Sequence, residues 1–308
     1  MSTHSIETIE IENCVCGLHL KRDFLSTIDY SYQTCANKFR YTLCTCGSYV
    51  LRNRPVEASL PTIYPVVYDA YIPSTNSLTK LVRKLNFARK LRVVKKYSQI
   101  QNWIDFGSGA GEFALVLKKL GVLDVYAIDK HESPLKNLNI SGVHFLNETL
   151  LSQIRDKSID AVSILQVIEH LANPSETINL LKSKLKIGGV LILETPSPSG
   201  LDFKIGVSGT WGGWHAPRHF YVFSTECLVK LLEGIGFKVL EVSHIPSPYL
   251  WAETLKARRL AREKNPMRGI FTISNPLFIV LIAFFDFTRL KFGKKTSNQR
   301  IIAMKEHS

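Results

Sequence analysis

Ile104-Asp105-Phe106-Gly107-Ser108-Gly109-Ala110-Gly111-Glu112-Phe113 is the stretch on which the fold turns. An apolar run ends in three glycines at alternate positions, and an amphipathic segment, 113–120, follows at once. Glycine lets the backbone bend sharply at the end of a strand and brings a ligand against bare peptide groups. A dinucleotide fingerprint needs its third small residue where this chain has Glu112, and a carboxylate there would repel a pyrophosphate. Asp129 closes the next apolar run, placed to accept from both hydroxyls of a ribose. The pair turns a generic nucleotide site into one shaped for an adenosyl group without a pyrophosphate.

Working outward, short apolar runs recur at 103–106, 125–129, 143–145, 159–165, 190–194 and 237–242, and 300–304 reads as a last short strand. Helical stretches such as 176–185 lie between them, and Gly188-Gly189 and Gly234 with Gly236 mark turns into the next strands. Such alternation predicts an α/β fold with a parallel sheet covered on both faces. A helix is expected over about 76–97, with Leu78, Leu81, Val82, Leu85, Ala88 and Leu91 as one apolar stripe beneath a basic face. The domains expected are a cysteine-bearing module at 1–60, a connector and basic helix at 61–99, and a main domain at 100–308 with an insertion at 246–298.

The run 105–111 resembles motif I of class I S-adenosylmethionine-dependent methyltransferases, and Asp129 matches their ribose-binding acid. Residues 158–174, with Gln166-Val167-Ile168-Glu169-His170, resemble the fourth-strand motif of the quinone O-methyltransferase-like branch, and 185–191 resemble its turn into strand five. The resemblance covers 100–245 and implies a Rossmann-like sheet of seven strands, the last antiparallel, with S-adenosylmethionine as cofactor. It implies that Gly107, Gly109 and Gly111 line the methionine and ribose portion and that Asp105 holds the turn. Asn147 or Glu148 would sit near adenine, and Gln166 would touch the cofactor on its substrate-facing side. Some relatives bind a metal through an acid, acid and histidine at the fourth strand. Gln166 stands at the first acid here, so no catalytic metal is assigned, and Glu169-His170 is expected to cap the following helix.

Methyl transfer from a sulfonium needs alignment more than covalent help, with a base if the acceptor is a hydroxyl or amine. The base candidates lie in Trp211-Gly212-Gly213-Trp214-His215-Ala216-Pro217-Arg218-His219-Phe220. His215 or His219 is expected as the base and Arg218 as an anion clamp. A similar W-x-x-P-R-H stretch occurs in a bacterial subgroup linked to glycan or lipid modification.

Cys14-Val15-Cys16-Gly17 and Cys44-Thr45-Cys46-Gly47 resemble a small zinc ribbon, four thiolates completing a structural site. Relatives with such a module carry C-x-x-C pairs; the C-x-C spacing makes a tight knuckle harder to form, so zinc and a ribbon without metal are both open. Cys227 stands alone in a helix and is read as core. Residues 1–14 have neither a basic head nor an apolar centre, so no secretory signal is expected, and a disulfide framework is not expected either.

The net charge of +13 suits an anionic partner. The apolar run 277–285 is too short to span a bilayer, which takes about 20 residues. Flanked by Arg268, Arg289, Lys291, Lys294 and Lys295, it suits an interfacial helix on anionic lipid, with peripheral contact through 268–295 on the inner face of the membrane. The expected acceptor is an oxygen of a sugar, glycolipid or isoprenoid-type lipid. The rivals are an RNA methyltransferase, for which Tyr64, Tyr68 and Tyr71 beside the basic residues 80–96 would be the stacking surface, and a membrane-associated scaffold without activity.

Overall fold

The computed structural model describes residues 4–65, 68, 71–72, 77–138, 140–262 and 275–306. Pro73, Pro266, Arg268 and the start of the expected interfacial segment lie outside the described residues. The chain opens with β1 (Thr8–Glu10), β2 (Asp23–Thr27), β3 (Phe39–Leu43), β4 (Tyr49–Leu51) and β5 (Asn53–Pro55), followed by α1 (Leu60–Ile63) and α2 (Ser77–Val94). The alternating half runs β6 (Asn102–Phe106), α3 (Glu112–Lys119), β7 (Asp124–Asp129), β8 (Val143–Asn147), β9 (Ile159–Leu165), α4 (Pro174–Lys184) and β10 (Leu185–Pro196). It continues with α5 (Leu201–Gly206), β11 (Tyr221–Val222), α6 (Thr225–Ile235), β12 (Phe237–His244), α7 (Pro248–Leu260), α8 (Pro276–Lys291) and β13 (Asn298–Lys305).

Seven strands form one sheet in the order β12-β13-β10-β9-β6-β7-β8. The five from β6 to β10 are parallel, and β13 runs antiparallel to both β10 and β12, as expected from the sequence. Side chains alternate across a strand, so Ile104, Val162, Leu191 and Leu193 enter one apolar cluster while Trp103, Ala161, Val190 and Ile192 enter the other. Burial on both faces explains why these strands read as continuous apolar runs. The connections run outward from β6 through β7 to β8, then return to β9 on its other side. The glycine turn sits at this point of reversal, where open sheets of this kind bind ligands.

The stripe expected on α2 is not its buried side: Leu81, Val82 and Leu85 are exposed. Leu91 and Val94 anchor the helix, together with a buried charge group. Glu194 of β10 accepts from Arg300 Nε of β13 at 2.7 Å and from Lys90 of α2. Lys90 therefore belongs to the core, not to the basic face.

The amino-terminal segment folds as the meander β2-β3-β4, to which β11 adds a fourth strand through Tyr49↔Val222 and Val50↔Tyr221. The module's sheet thus crosses the boundary drawn at residue 60. Arg218 and Asp29, both with fully buried side chains, form a bidentate pair at 3.0 Å on each branch. The Tyr41 hydroxyl lies 2.8 Å from the Trp214 carbonyl and 2.7 Å from that of His219, donating to one at a time.

Candidate active site

Gly107, Gly109 and Gly111 all have positive φ, at 73°, 53° and 83°. A Cβ on Gly107 would stand 2.2 Å from the Val167 side chain, and one on Gly111 would stand 2.5 Å from the Phe145 ring. Conformation and space therefore both demand glycine there. Gly109 N donates to Asp129 Oδ2 at 2.8 Å, while Asp129 Oδ1 accepts from His131 N at 3.2 Å and from the Tyr71 hydroxyl at 3.4 Å. Asp105 lies beneath the turn and accepts from Ser163 Oγ at 2.6 Å; burial pushes its carboxyl up to about 7. Glu112 pairs with Arg83 of α2 at 2.6 Å, so its charge is partly matched.

Asn147 is the register partner of Asp129 across β7 and β8. Its side chain accepts from Thr149 N at 3.0 Å and donates to the Lys130 carbonyl at 2.8 Å. Glu148 stands 3.6 Å from Lys130. Gln166 ends β9 with φ of 58°, a strained value for a side-chain-bearing residue, and its amide donates to Asn298 Oδ1 at 3.0 Å.

Beyond the carboxyl end of β9 the histidines and tyrosines gather in one packed cluster. The rings of His170 and His219 are 4.6 Å apart, and those of His215 and His219 4.9 Å. Tyr68 packs against Tyr32, Tyr64, Tyr71 and His215 at ring separations of 5.1 to 6.3 Å. A line of rings therefore joins Asp129, through Tyr71 and Tyr68, to His215. The tyrosines expected as a stacking surface for RNA turn inward to the histidines.

A backbone carbonyl can only accept, which settles two tautomers. His219 Nδ1 donates to the Gly213 carbonyl at 2.8 Å and His170 Nδ1 to that of Arg218 at 3.0 Å, leaving each Nε2 a lone pair. Burial drives all three histidines below their ordinary pKa: His170 falls to about 4, and His215 and His219 fall well below. Glu169 does not cap α4. It is fully buried, its Oε2 accepts from Thr195 Oγ1 at 2.9 Å, and its Oε1 has no hydrogen-bond partner among the described residues. Burial pushes its carboxyl up to about 8. One oxygen of Glu169 and one nitrogen each of His170 and His219 lie within 4.8 Å of one another.

Arg218, expected as an anion clamp, is sealed from solvent. Beyond Asp29, it donates through Nε to the Ile63 carbonyl at 2.7 Å and lies over the Tyr32 ring. Burial alone would raise the Asp29 carboxyl, but the hydrogen bonds and charge of Arg218 hold it below its ordinary value. The guanidinium is thus spent on joining the module to the loop. Sequence reasoning missed Asp29, Ser31, Tyr32 and Glu253, none of which stands in a motif.

The Sγ atoms of Cys14 and Cys46 are 3.7 Å apart, and those of Cys16 and Cys44 3.6 Å, with all four inside 4.8 Å. Tetrahedral zinc with bonds of about 2.3 Å places its sulfurs about 3.8 Å apart, so the set fits the ion. The C-x-C spacing proves no obstacle: Gly17 and Gly47 have φ of 82° and 84°, and their amides donate to the Cys14 and Cys44 carbonyls at 2.9 Å. Cys227 on α6 is buried in the core, as expected.

Residues 76–242 match the family model described as a methyltransferase domain. The mitochondrial ubiquinone biosynthesis O-methyltransferase of Dictyostelium discoideum is 24% identical over 171 residues, 45% of this chain and 53% of that protein. Trans-aconitate 2-methyltransferase of Rhizobium rhizogenes is 29% identical over 112 residues, 35% of this chain and 44% of that protein. The chain thus spans about half the length of these relatives. Among solved structures, Haemonchus contortus phosphoethanolamine N-methyltransferase 2 in complex with S-adenosyl-L-methionine shares the fold, with a TM-score of 0.50, 14% identity, and coverage of 93% of this chain and 68% of that one.

Proposed function

The chain belongs to the methyltransferase-domain family, in its class I S-adenosylmethionine-dependent branch, and from that premise we propose that it methylates an oxygen of a small-molecule acceptor, a sugar, glycolipid or isoprenoid-type lipid. The observation that carries the reading is the line of rings from Asp129 to His215. It connects His215, read here as the proton acceptor, with Asp129, read as the ribose-binding acid, through a run of packed tyrosine rings. The tyrosine faces suit a quinol ring or the apolar face of a sugar.

S-adenosylmethionine, when bound, would supply an activated methyl on a sulfonium, with a neutral thioether as the group that leaves. The chain's own residues hold and deprotonate. The backbone of 107–111 cradles the donor because no Cβ intrudes, and Asp129 takes the ribose hydroxyls, replacing its long contact from Tyr71. Asn147 or Glu148 would border the adenine, and Gln166 would touch the cofactor on its substrate-facing side. His215, neutral through burial, receives the acceptor's proton; His219 is the second candidate.

Two further parts complete the proposal. Cys14, Cys16, Cys44 and Cys46 hold a structural zinc ion that stiffens the module against α6. The exposed stripe Leu277, Val280, Leu281 and Phe284 on α8, with Arg289, Lys291, Lys294 and Lys295 at its end, rests on an anionic membrane surface. Among the described residues no helix is long and apolar enough to cross a membrane. The test is incubation with labelled cofactor and separate lipid, nucleotide-sugar, RNA and protein fractions. Label is expected in a lipid or sugar fraction and is expected to fall by about 10² to 10⁴ in His215→Gln. Label confined to RNA or protein overturns the reading.

A further inference from the structure

The tautomers of His170 and His219 are set by backbone carbonyls, but that of His215 is not. Its Nδ1 lies 3.1 Å from Ser31 Oγ, on the loop after β2, and Ser31 Oγ lies 2.9 Å from Glu253 Oε2 on α7. A hydroxyl has one proton to give and lone pairs to receive with, whereas an ionised carboxylate can only receive. The serine proton therefore points to Glu253, and the serine oxygen must receive from His215.

We propose that Ser31 and Glu253 are positioning residues for the base: they hold His215 as its Nδ1–H form, so that Nε2 is the atom that accepts the acceptor's proton. The proposal rests on the reading of His215 as the base and gives the amino-terminal module a part in the chemistry beyond holding the loop.

The surroundings are built to keep this chain of bonds in place. Lys256 donates to the Ser31 carbonyl at 2.8 Å and stands 3.6 Å from Glu253 Oε1, tying the Ser31 loop to α7. Gly212 N donates to Thr254 Oγ1 at 2.9 Å, fastening α7 to the loop, and a Cβ on Gly212 would stand 2.6 Å from that of Glu253. His215 itself sits at φ of 39°, an uncommon conformation for a side-chain-bearing residue. It is one that the fold maintains against local strain.

The groups facing His215 also make a partner necessary. Arg218 and His219 lie on its own loop, His170 follows β9, Lys256 is on α7, and the rings of Tyr32 and Tyr68 pack against it. All the charged or chargeable groups among them disfavour a proton on the ring. Glu253, reached through Ser31, is the carboxylate that offsets them. When Nε2 takes a proton, Nδ1–H, Ser31 and Glu253 form a continuous donor chain ending on a negative charge, the same orienting logic by which a carboxylate serves a catalytic histidine elsewhere.

The test reads the tautomer directly. The full chain is prepared with ¹⁵N-labelled histidine, long-range proton–nitrogen correlations are recorded, and His215 is identified by the signal missing in His215→Gln. The wild-type ring is expected as the Nδ1–H form. In Ser31→Ala and in Glu253→Ala it is expected to move towards the Nε2–H form. The turnover number should fall at least about tenfold while S-adenosylmethionine binding holds. Ser31→Thr, which keeps the hydroxyl, is expected to restore both. An Nε2–H ring in the wild type overturns the proposal without any variant, as does an unchanged tautomer in folded Ser31→Ala. A shifted tautomer with turnover unchanged leaves the bonding assignment standing and removes His215 as the base.

Discussion

The two sides of the active site are built in opposite ways. The cofactor side is a local device: residues 105–111 supply a backbone turn, and Asp129 buttresses it from 20 positions away. The acceptor side is assembled from distant segments, with Arg218 meeting Asp29 across 189 positions and Ser31 meeting Glu253 across 222. One side needs glycines because its function is an absence of side chains. The other is built of buried side chains, most of them hydrogen-bonded, as the proposed direction of a proton would require. The cofactor site can therefore stay fixed while the acceptor site is remade by changing what is docked on it.

The hardest blow to this contrast is Asp29→Ala. It leaves the Arg218 guanidinium buried without its carboxylate, and breaking such a pair costs about 3–5 kcal/mol. The urea midpoint is expected to fall accordingly, with the module loosening from the loop and methyl transfer lost. S-adenosylmethionine binding, measured by calorimetry on the protein that remains folded, should persist. Were donor binding to vanish in step with transfer, the two sides would not be separable and the contrast would fail.

The same contrast explains what the sequence reveals. The seven strands of the large sheet were legible because burial in it writes short apolar runs, whereas β11, two residues added to the module's sheet, was not. The glycine turn was legible because positive φ and close packing at Gly107 and Gly111 leave no other residue. His215 and His219 could be singled out from the density of function in 211–220. Their partners could not, since Asp29, Ser31 and Glu253 are ordinary residues until the fold brings them together. Arg218 misled for the same reason: nothing near it in sequence shows that a carboxylate awaits it in β2's following loop. Lys90 was counted with a basic face because periodicity cannot see Glu194 on a strand 104 positions later.

A medium-sized effect tests the cofactor side alone. Gly107→Ala forces a Cβ to within 2.2 Å of Val167 at φ of 73°. The left-handed conformation costs about 1–2 kcal/mol and the overlap about 1–3 kcal/mol. The turn is expected to relax outward, weakening S-adenosylmethionine by about tenfold or more. The His215 tautomer should be unchanged, because no group in its bonding chain touches the turn. A change in that tautomer would show that the turn and the histidine cluster move together.

The smallest effect separates the two sides by their buried acids. Glu169, beside the histidines, is pushed up to about 8, and Asp105, under the glycine turn, to about 7, both by burial. A carboxyl whose folded pKa is raised binds its proton more tightly when folded. Its stabilising contribution is complete below the ordinary carboxylate range and drains away as pH rises through the folded value. The melting temperature of the wild type should therefore decline from pH 6 to pH 9. Glu169→Gln carries no proton to lose, so its decline should be shallower and should level off above about 7, once Asp105 has lost its proton. Asp105→Asn should show the complement, a decline that continues to about 8 before it levels off. Parallel curves for the wild type and Glu169→Gln would mean that Glu169 keeps its charge in the folded chain, with Oε1 finding a donor, and the cluster would then hold an anion beside three neutral histidines instead of a neutral acid.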